Sequence, residues 1–211
     1  MIITIFGATG TVGKELVKQA LFNGHQVRAF GRNVFTAGFP EDKNLELIQG
    51  ALFDETQVFD AVSGADAVLS AIGGGFDGTD KARSLGIKNI IEQMVKAGVN
   101  RIVALGGLGT LENEEGKLIM DHPEFPPQYL PVSREHYQAF QFLKASPLAW
   151  TFVCSPDIVN AGATGLFVTA ANAVPQPDLG KINAGDLALF MLKELSANEF
   201  VLSKVGISTT E

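Results

Sequence analysis

A glycine-rich turn near the start of the chain constrains the fold more than any other feature. The turn is Gly7-Ala-Thr-Gly10-Thr-Val-Gly13, and it follows a continuous β-branched and apolar run at 2–6. Apolar residues then recur at helical spacing from Val12 to Leu21. Such a run is typical of a strand in a parallel sheet that is covered on both faces. The order of strand, glycine turn and helix predicts the first unit of an α/β fold.

The same alternation continues along the chain. Strands joined through helices imply right-handed crossovers and a parallel sheet with helices on both faces. We therefore predict an α/β fold with one doubly wound (Rossmann) domain over residues 1–211 and a small substrate-side extension at its C-terminal end. Strands are predicted at 2–6, 26–30, 45–49, 67–72, 101–105, 150–154 and 201–207, and helices at 55–62, 80–96, 133–145 and 186–195, besides the first helix.

Composition narrows the classes of function. The net charge of −7, without a basic cluster, argues against direct nucleic-acid binding, which depends on phosphate neutralisation. No apolar run reaches the roughly 18 residues that a membrane span needs, and the first residues lack the basic segment of a secretory signal. Cys154, the single cysteine, fits a reducing cytoplasm and a packed, inert thiol. Three widely separated histidines predict no metal site, and we expect a monomer or a homodimer.

The glycine turn also predicts a phosphate site. Gly7 permits the positive φ that reverses the chain, and Gly10 leaves room for a pyrophosphate beside the unpaired N–H groups of the helix start. Gly13 permits close packing of helix and sheet. The alternative is a tight turn that binds nothing. The contacts expected in this segment are with Gly7, Thr9, Gly10, Thr11, Val12 and Gly13.

The GxxGxxG spacing resembles the opening of atypical short-chain dehydrogenase/reductase proteins, including the NmrA-like and biliverdin/flavin-reductase-like groups. The resemblance spans nearly the whole chain and implies a Rossmann fold that binds NAD(P). The other segments that carry it are Phe30-Gly-Arg-Asn33, Gln49-Gly-Ala-Leu-Phe-Asp54, Ala71-Ile-Gly-Gly74, Leu148-Ala-Trp-Thr-Phe152, Ser155-Pro156 and Ile182-Asn-Ala-Gly-Asp-Leu-Ala188.

Arg32 follows the second predicted strand, where NAD-specific sites usually carry an acidic residue. No carboxylate occurs there before Glu41. A guanidinium can hold a 2′-phosphate through two hydrogen bonds, and the resemblance implies the same role for this arginine. We expect a preference for NADP(H), with NAD as the alternative cofactor and a solvent-facing Arg32 as the alternative interpretation.

Further cofactor contacts are expected at the carboxyl ends of the strands, where ligands of open parallel sheets bind. Leu52, Phe53 and Asp54 follow the third strand, and Phe53 is placed to pack on an adenine. Asp54 has a second interpretation as the N-cap of the next helix. The ribose and nicotinamide are expected near the residues that end three later strands, which are Ile72, Gly73, Gly74, Gly106, Gly107 and Pro156.

The Tyr-x-x-x-Lys pair of the tyrosine-dependent enzymes in this superfamily is missing. Tyr137 is followed four residues later by Gln141, and Lys144 is two helical turns away. A glycine pair occupies the place of their serine. Alcohol dehydrogenase, ketoreductase or epimerase chemistry that depends on Tyr137 is therefore only a third hypothesis.

His136 lies in a segment that resembles the His-x(8)-Glu-Ser segment of the biliverdin/flavin-reductase-like proteins, in which the histidine lies beside the substrate. His136 and Tyr137 are the candidate catalytic residues. A neutral histidine could give a hydrogen bond or a proton to an acceptor. The alternatives are a structurally partnered histidine and a tyrosine that only packs.

The irregular stretch from Gly106 to Pro131 is long enough to be a lid. Phe39, Phe76 and Phe125 fall in predicted loops, where they could line a planar pocket or form an interface. Asp186 is expected to cap the last helix.

Two functions remain open from these observations. The first is an NADPH-dependent reductase with a small-molecule acceptor such as a flavin or quinone, for which the site mainly orients two flat rings. The second is a non-catalytic dinucleotide sensor of the NmrA-like type, with a protein partner.

Overall fold

The computed structural model describes all 211 residues, and an eight-stranded sheet forms its centre. The strands are β1 (Ile2–Phe6), β2 (Gln26–Gly31), β3 (Leu45–Gln49), β4 (Ala67–Ser70), β5 (Arg101–Gly107), β6 (Ala149–Ser155), β7 (Asp157–Val159), β8 (Phe167–Ala171), β9 (Lys181–Asn183) and β10 (Ser203–Thr209). The α-helices are α1 (Thr11–Phe22), α2 (Glu55–Val62), α3 (Ala82–Ala97), α4 (Leu130–Lys144) and α5 (Ala184–Ala197).

The strand order in the large sheet is β3-β2-β1-β4-β5-β6-β10-β8. All pairs are parallel except β10 with β8, which is antiparallel, and β7 pairs with β9 in a separate small sheet. The predicted α/β fold is confirmed. The strand order reverses between β1 and β4, and ligands of such sheets bind in the crevice at this point.

Helices cover both faces of the sheet. Leu16 of α1 and Leu187 of α5 belong to the core cluster on one face, together with Ile5 of β1. The opposite cluster contains Ile90 of α3 and Phe140 of α4, with side chains from α2. This burial on both faces explains the continuous β-branched and apolar run of β1.

Three helices start elsewhere than predicted, and one of them, α5, begins at Ala184, two residues before its predicted start. α3 begins at Ala82, two residues after the predicted start, because Lys81 adopts a left-handed conformation with φ 53°. α4 begins at Leu130, since Pro131 lies in the first turn, where no N–H partner is needed. Ser133 therefore lies inside α4 and is available for another role.

Asp186 does not cap α5, because Asn183 is the N-cap residue and Asp186 lies in the first turn. Its fully buried carboxylate accepts hydrogen bonds from the backbone N–H groups of Thr164 and Gly165, both at 2.7 Å. Asp186 thus fastens the loop before β8 to the start of α5. The sequence pattern missed β7, β8 and β9, because these are short segments outside the alternation of long strands and helices.

None of the helices combines the length and the apolar character that crossing a bilayer requires.

Candidate functional site

A cavity of about 1060 Å³ lies beyond the carboxyl ends of the central strands. Its floor contains residues of the glycine turn, the ends of β4 and β5, and the segment after β6. Single-ligand pockets usually measure about 300–1,000 Å³, so this cavity has room for part of a dinucleotide and a second molecule. The lining residues from these elements are Gly10, Thr11, Val12, Ala71, Ile72, Gly73, Leu105, Gly106, Gly107, Ser155, Pro156 and Asp157.

The glycine turn places the uncapped N-terminus of α1 at the cavity. Gly10 is the N-cap of α1, no side chain caps the helix, and its first turn contains no acidic residue. The backbone N–H groups of Thr11, Val12 and Gly13 make no hydrogen bond within the protein. Unpaired N–H groups and the helix dipole together attract an anion.

The three glycines of this turn serve different purposes. Gly7 has φ +75°, and a Cβ there would collide with the backbone of Ala71. A Cβ at Gly13 would collide with the carbonyl oxygen of Gly7. Gly10 is different, because its Cβ would meet only the oxygen of Gly7, at 3.4 Å, and would otherwise point into open space. The open space before Gly10 is where a pyrophosphate fits against the main chain, so these residues fit the phosphates of a dinucleotide.

Arg32 lies at the carboxyl end of β2 with its side chain exposed. The methyl group of Thr9 lies 3.3 Å from the position that a Cβ of Gly31 would occupy, so Thr9 borders the same edge. Arg32 is close enough to Asp80 to contribute to the lowered pKa of that carboxyl, although hydrogen bonds from the N–H groups of Gly75 and Ala82 are its largest causes. No acidic side chain follows β2 directly, as the sequence indicated.

The segment after β3 takes little part in the cavity. Asp54 is the N-cap of α2 and accepts a hydrogen bond from the N–H of Gln57 at 3.0 Å. Leu52 packs against Gly86 and the core beneath α3, and Phe53 is exposed to solvent. Of the two interpretations of Asp54, the structural one is observed, and none of these three side chains lines the cavity.

The loop after β4 is held in place by Arg83, a residue that sequence reasoning missed. Its guanidinium donates to the carbonyl oxygens of Gly75 at 3.0 Å and Gly74 at 3.1 Å. From the other side, Asp80 accepts a hydrogen bond from the N–H of Gly75 at 2.7 Å. Gly73 and Arg83 line the cavity. The signal available in the sequence was an arginine among the first residues of a helix that follows a glycine loop.

His136 lies on α4 against the end of β5. A Cβ at Gly107 would come within 3.0 Å of the His136 ring, so this glycine lets the helix approach the strand. The imidazole lines the cavity and makes no hydrogen bond within the protein, and its Nδ1 is completely buried. Burial lowers the pKa of His136 to about 3, with a smaller contribution from the positive charge of Arg83.

Tyr137 is turned away from this site. It packs on the second core cluster, with its ring centroid 6.3 Å from that of Phe140, and it does not line the cavity. Successive helical residues point in directions about 100° apart, and of these two only His136 lines the cavity. The packing interpretation of Tyr137 is therefore the one observed.

The position of α4 is fixed by Glu135, which sequence reasoning also missed. Its carboxylate accepts from Ser84 Oγ at 2.6 Å and Lys81 Nζ at 2.9 Å, which joins α4 to the start of α3. Burial alone would raise the pKa of Glu135, but the hydrogen bonds from Lys81 and Ser84 outweigh it and lower that pKa. This junction brings Arg83 and His136 to the same cavity.

The remaining walls are mostly apolar and aromatic. Phe76 and Tyr129 have ring centroids 6.2 Å apart and both line the cavity, as do Phe125 and Ile119. The stretch from Gly106 to Pro131 therefore borders the site. Phe39 instead packs on the first core cluster. Cys154 is fully buried, and burial raises the pKa of its thiol to about 12, which suits an inert residue.

Comparison with known proteins agrees with this geometry. Residues 7–198 match the model of a family described as NAD(P)H-binding. The chain belongs to this NAD(P)H-binding family. It is 30% identical to the uncharacterized protein YwnB of Bacillus subtilis over 206 residues, which cover 94% of each chain.

Two solved structures place this family member among Rossmann-fold proteins. A candidate NADH-flavin reductase from Streptococcus pneumoniae superposes with a TM-score of 0.85 at 24% identity and covers 100% of both chains. A short-chain dehydrogenase/reductase from Veillonella parvula, solved in complex with NADP, has a TM-score of 0.76 at 18% identity and covers 99% of this chain and 94% of its own. The NAD(P)-binding Rossmann fold that the sequence resemblance implied is confirmed.

Proposed function

We propose that the protein is an NADPH-dependent oxidoreductase that reduces a planar, conjugated acceptor such as a flavin or a quinone. The observation that carries this proposal is the continuity of one cavity. It runs from the uncapped start of α1, past the glycine ends of β4 and β5, to His136 and an aromatic wall. A dinucleotide and a flat acceptor both find suitable surfaces along this path.

The chain's own residues account for cofactor binding in this proposal. The N–H groups at the start of α1 bind the pyrophosphate, and the space before Gly10 admits it to the main chain. Arg32 binds the 2′-phosphate that distinguishes NADPH from NADH. The glycines at the ends of β4 and β5 leave room for the nicotinamide, which supplies a hydride when the cofactor is bound.

Catalysis in this site depends on orientation more than on acid–base chemistry. His136 is neutral throughout the physiological range, because its pKa is about 3. Since Nδ1 is sealed in the protein, Nε2 is the nitrogen that can donate a hydrogen bond to an acceptor in the cavity. An electrophilic conjugated acceptor can take its proton from water, so holding two flat rings in contact supplies most of the rate.

The acceptor class is suggested by the walls of the cavity. Phe76, Tyr129 and Phe125 offer aromatic faces and edges to a flat ring system. The name of the Streptococcus pneumoniae neighbour, which specifies NADH, supports the flavin as acceptor, and the NADP in the Veillonella parvula structure supports the choice of cofactor.

The test follows NADPH oxidation at 340 nm with FMN, FAD, riboflavin and simple quinones, with NADH in parallel. We expect turnover above the uncatalysed rate for at least one acceptor, faster with NADPH, and reduced at least about tenfold in the His136→Phe variant. Protein that binds NADPH by calorimetry but reduces no acceptor would overturn the proposal in favour of a nucleotide-binding sensor. Gln138→Ala, an exposed change on the same helix, is the matched control.

A further inference from the structure

Arg83 is placed unusually for a buried arginine. Only 8% of its surface is exposed, and it borders the cavity. Two backbone carbonyl groups accept hydrogen bonds from its guanidinium, while Nε has no partner. A guanidinium has five N–H donors, so several of them are not used by the protein.

The charge of Arg83 is not neutralised by direct contact. No carboxylate lies within the 4.0 Å of an ion pair, although Asp80 and Glu135 are near enough to raise its pKa against the lowering effect of burial. The oxygens of Glu135 are already used by Lys81 and Ser84. Burial of a charge without a paired counter-charge is costly, and a ligand that brings a negative charge would offset that cost.

Two further donors lie on the cavity side of α4. Ser133 and His136 are three positions apart, so they lie on one face of the helix. Ser133 is 5% exposed, its hydroxyl makes no hydrogen bond within the protein, and both residues line the cavity. We call the group formed by Arg83, Ser133 and His136 the donor corner.

We infer that the donor corner receives an anionic oxygen of the acceptor, so that the preferred acceptors are planar aromatic compounds that carry a carboxylate. This inference rests on the proposed function, and it adds a charge requirement to the flat shape already argued. Arg83 provides the charge, and Ser133 and the neutral His136 provide directed donors. The aromatic residues Phe76 and Tyr129 then hold the ring.

The cofactor phosphates are a less suitable occupant of the donor corner. The pyrophosphate already has the free N–H groups of α1, and the 2′-phosphate has Arg32 at the end of β2. The donor corner instead contains His136, which lies against Gly107 at the end of β5, on the far side of β4 from β1.

The test uses two ligands of the same shape and different charge. Naphthalene-2-carboxylate and naphthalene-2-carboxamide are titrated by calorimetry into the full chain, with and without saturating NADP⁺. We expect the carboxylate to bind roughly tenfold to a hundredfold more tightly, which is the size of a charge-assisted hydrogen bond. Arg83→Met should remove this preference, and Arg83→Lys should retain part of it.

Three controls keep the test decisive. Arg134→Met removes an exposed arginine of α4 that does not line the cavity, and it should leave the preference unchanged. Thermal unfolding checks that the Arg83 variants fold. If Arg83→Met does not fold, His136→Phe and Ser133→Ala, which leave the carbonyl contacts of Arg83 intact, should each lower the preference severalfold.

The inference fails if the folded wild-type protein binds both ligands equally. It also fails if Arg83→Met weakens NADP⁺ binding and leaves the carboxylate preference intact, because the arginine would then serve the cofactor. These results are separable from the proposed function. An Arg83-dependent carboxylate preference without turnover would overturn the reductase and keep the donor corner, whereas turnover of uncharged acceptors alone would do the opposite.

Discussion

The two ends of the central sheet differ in whether a buried arginine has a carboxylate partner. At the amino end, Arg101 of β5 forms an ion pair with Glu194 at 2.9 Å and also donates to Thr151 Oγ1 at 2.9 Å. Glu194 further accepts from the N–H groups of Glu199 and Phe200. At the carboxyl end, Arg83 is buried to a similar degree but has no carboxylate within ion-pair distance.

The difference separates stability from binding. A buried charge that is paired with a carboxylate inside the protein has little left to offer a ligand, whereas one without such a partner can gain from binding. The same contrast holds for the neighbours of these arginines. Thr151 makes several hydrogen bonds at the amino end, whereas His136 makes none at the carboxyl end. We therefore expect substitutions at the amino end to change the free energy of unfolding and those at the carboxyl end to change binding.

The largest change in unfolding free energy should come from removing the carboxylate that pairs with Arg101 at the amino end. Glu194→Gln leaves the charge of Arg101 buried without its partner, which typically costs about 3–5 kcal/mol of unfolding free energy. Urea unfolding measures this loss, and the affinity for NADPH should stay within about twofold. Glu92→Gln is the control, because its exposed pair with Lys88 contributes less than about 0.5 kcal/mol. Equal losses in the two variants would contradict the comparison.

At the carboxyl end, two glycines of the same turn should separate the effect on binding from the effect on stability. Gly10→Ala places a methyl group in the space before α1 while its φ of −77° suits any residue, so the free energy of unfolding should change by less than about 1 kcal/mol. NADPH binding by calorimetry should weaken at least about tenfold. Gly13→Ala should instead destabilise the fold by more than about 2 kcal/mol, because its methyl group meets the backbone. An unfolded Gly10→Ala variant would refute this division.

His136, at the carboxyl end of the sheet, should make the free energy of unfolding depend on pH. Its pKa of about 3 in the folded protein is below the ordinary value of 6.5, so the unfolded chain binds more protons between these values. Stability is therefore complete above about pH 6.5 and falls as the pH decreases towards 3.

The part of this pH dependence that comes from His136 can be measured by comparison with the His136→Phe variant. Between pH 7 and pH 5 the wild type should lose roughly 2 kcal/mol more unfolding free energy than this variant. His25, whose pKa is also lowered, is present in both proteins and cancels in the difference. The stabilisation from Glu135 is lost mainly below its ordinary pKa of 4.5, because its folded pKa is lowered, so it changes little between pH 7 and pH 5. Parallel urea curves for the two proteins at both pH values would show that His136 is not sealed as described.

Arg32 should show the smallest effect and the one most confined to binding. Arg32→Gln removes an exposed charge, so the free energy of unfolding should change by less than about 0.5 kcal/mol. The ratio of NADPH to NADH affinity should fall roughly tenfold, as expected for one charge-assisted contact. Arg134→Gln serves as the matched exposed arginine. An unchanged ratio would assign the 2′-phosphate to another residue.

Local patterns were sufficient for much of the fold. The apolar runs, the glycine turn and the helical spacing fixed the βα units, because burial on two faces and a positive φ at Gly7 are local requirements. Local patterns were insufficient where contacts between distant residues determine the role of a side chain or the place of a strand. Asp186 looked like a helix cap, but it is bound by Thr164 and Gly165 of a distant loop. β8 takes its antiparallel place only by pairing with β10.

The sequence by itself therefore determined an α/β fold with a dinucleotide turn and an arginine at the end of β2. The tertiary structure decided which of the two adjacent candidates on α4 faces the cavity, His136 or Tyr137. It also brought Arg83 to the same cavity, through the junction of Glu135 with Ser84 and Lys81. Local periodicity encodes which residues are buried, but the meeting of side chains from separate helices depends on how those helices pack.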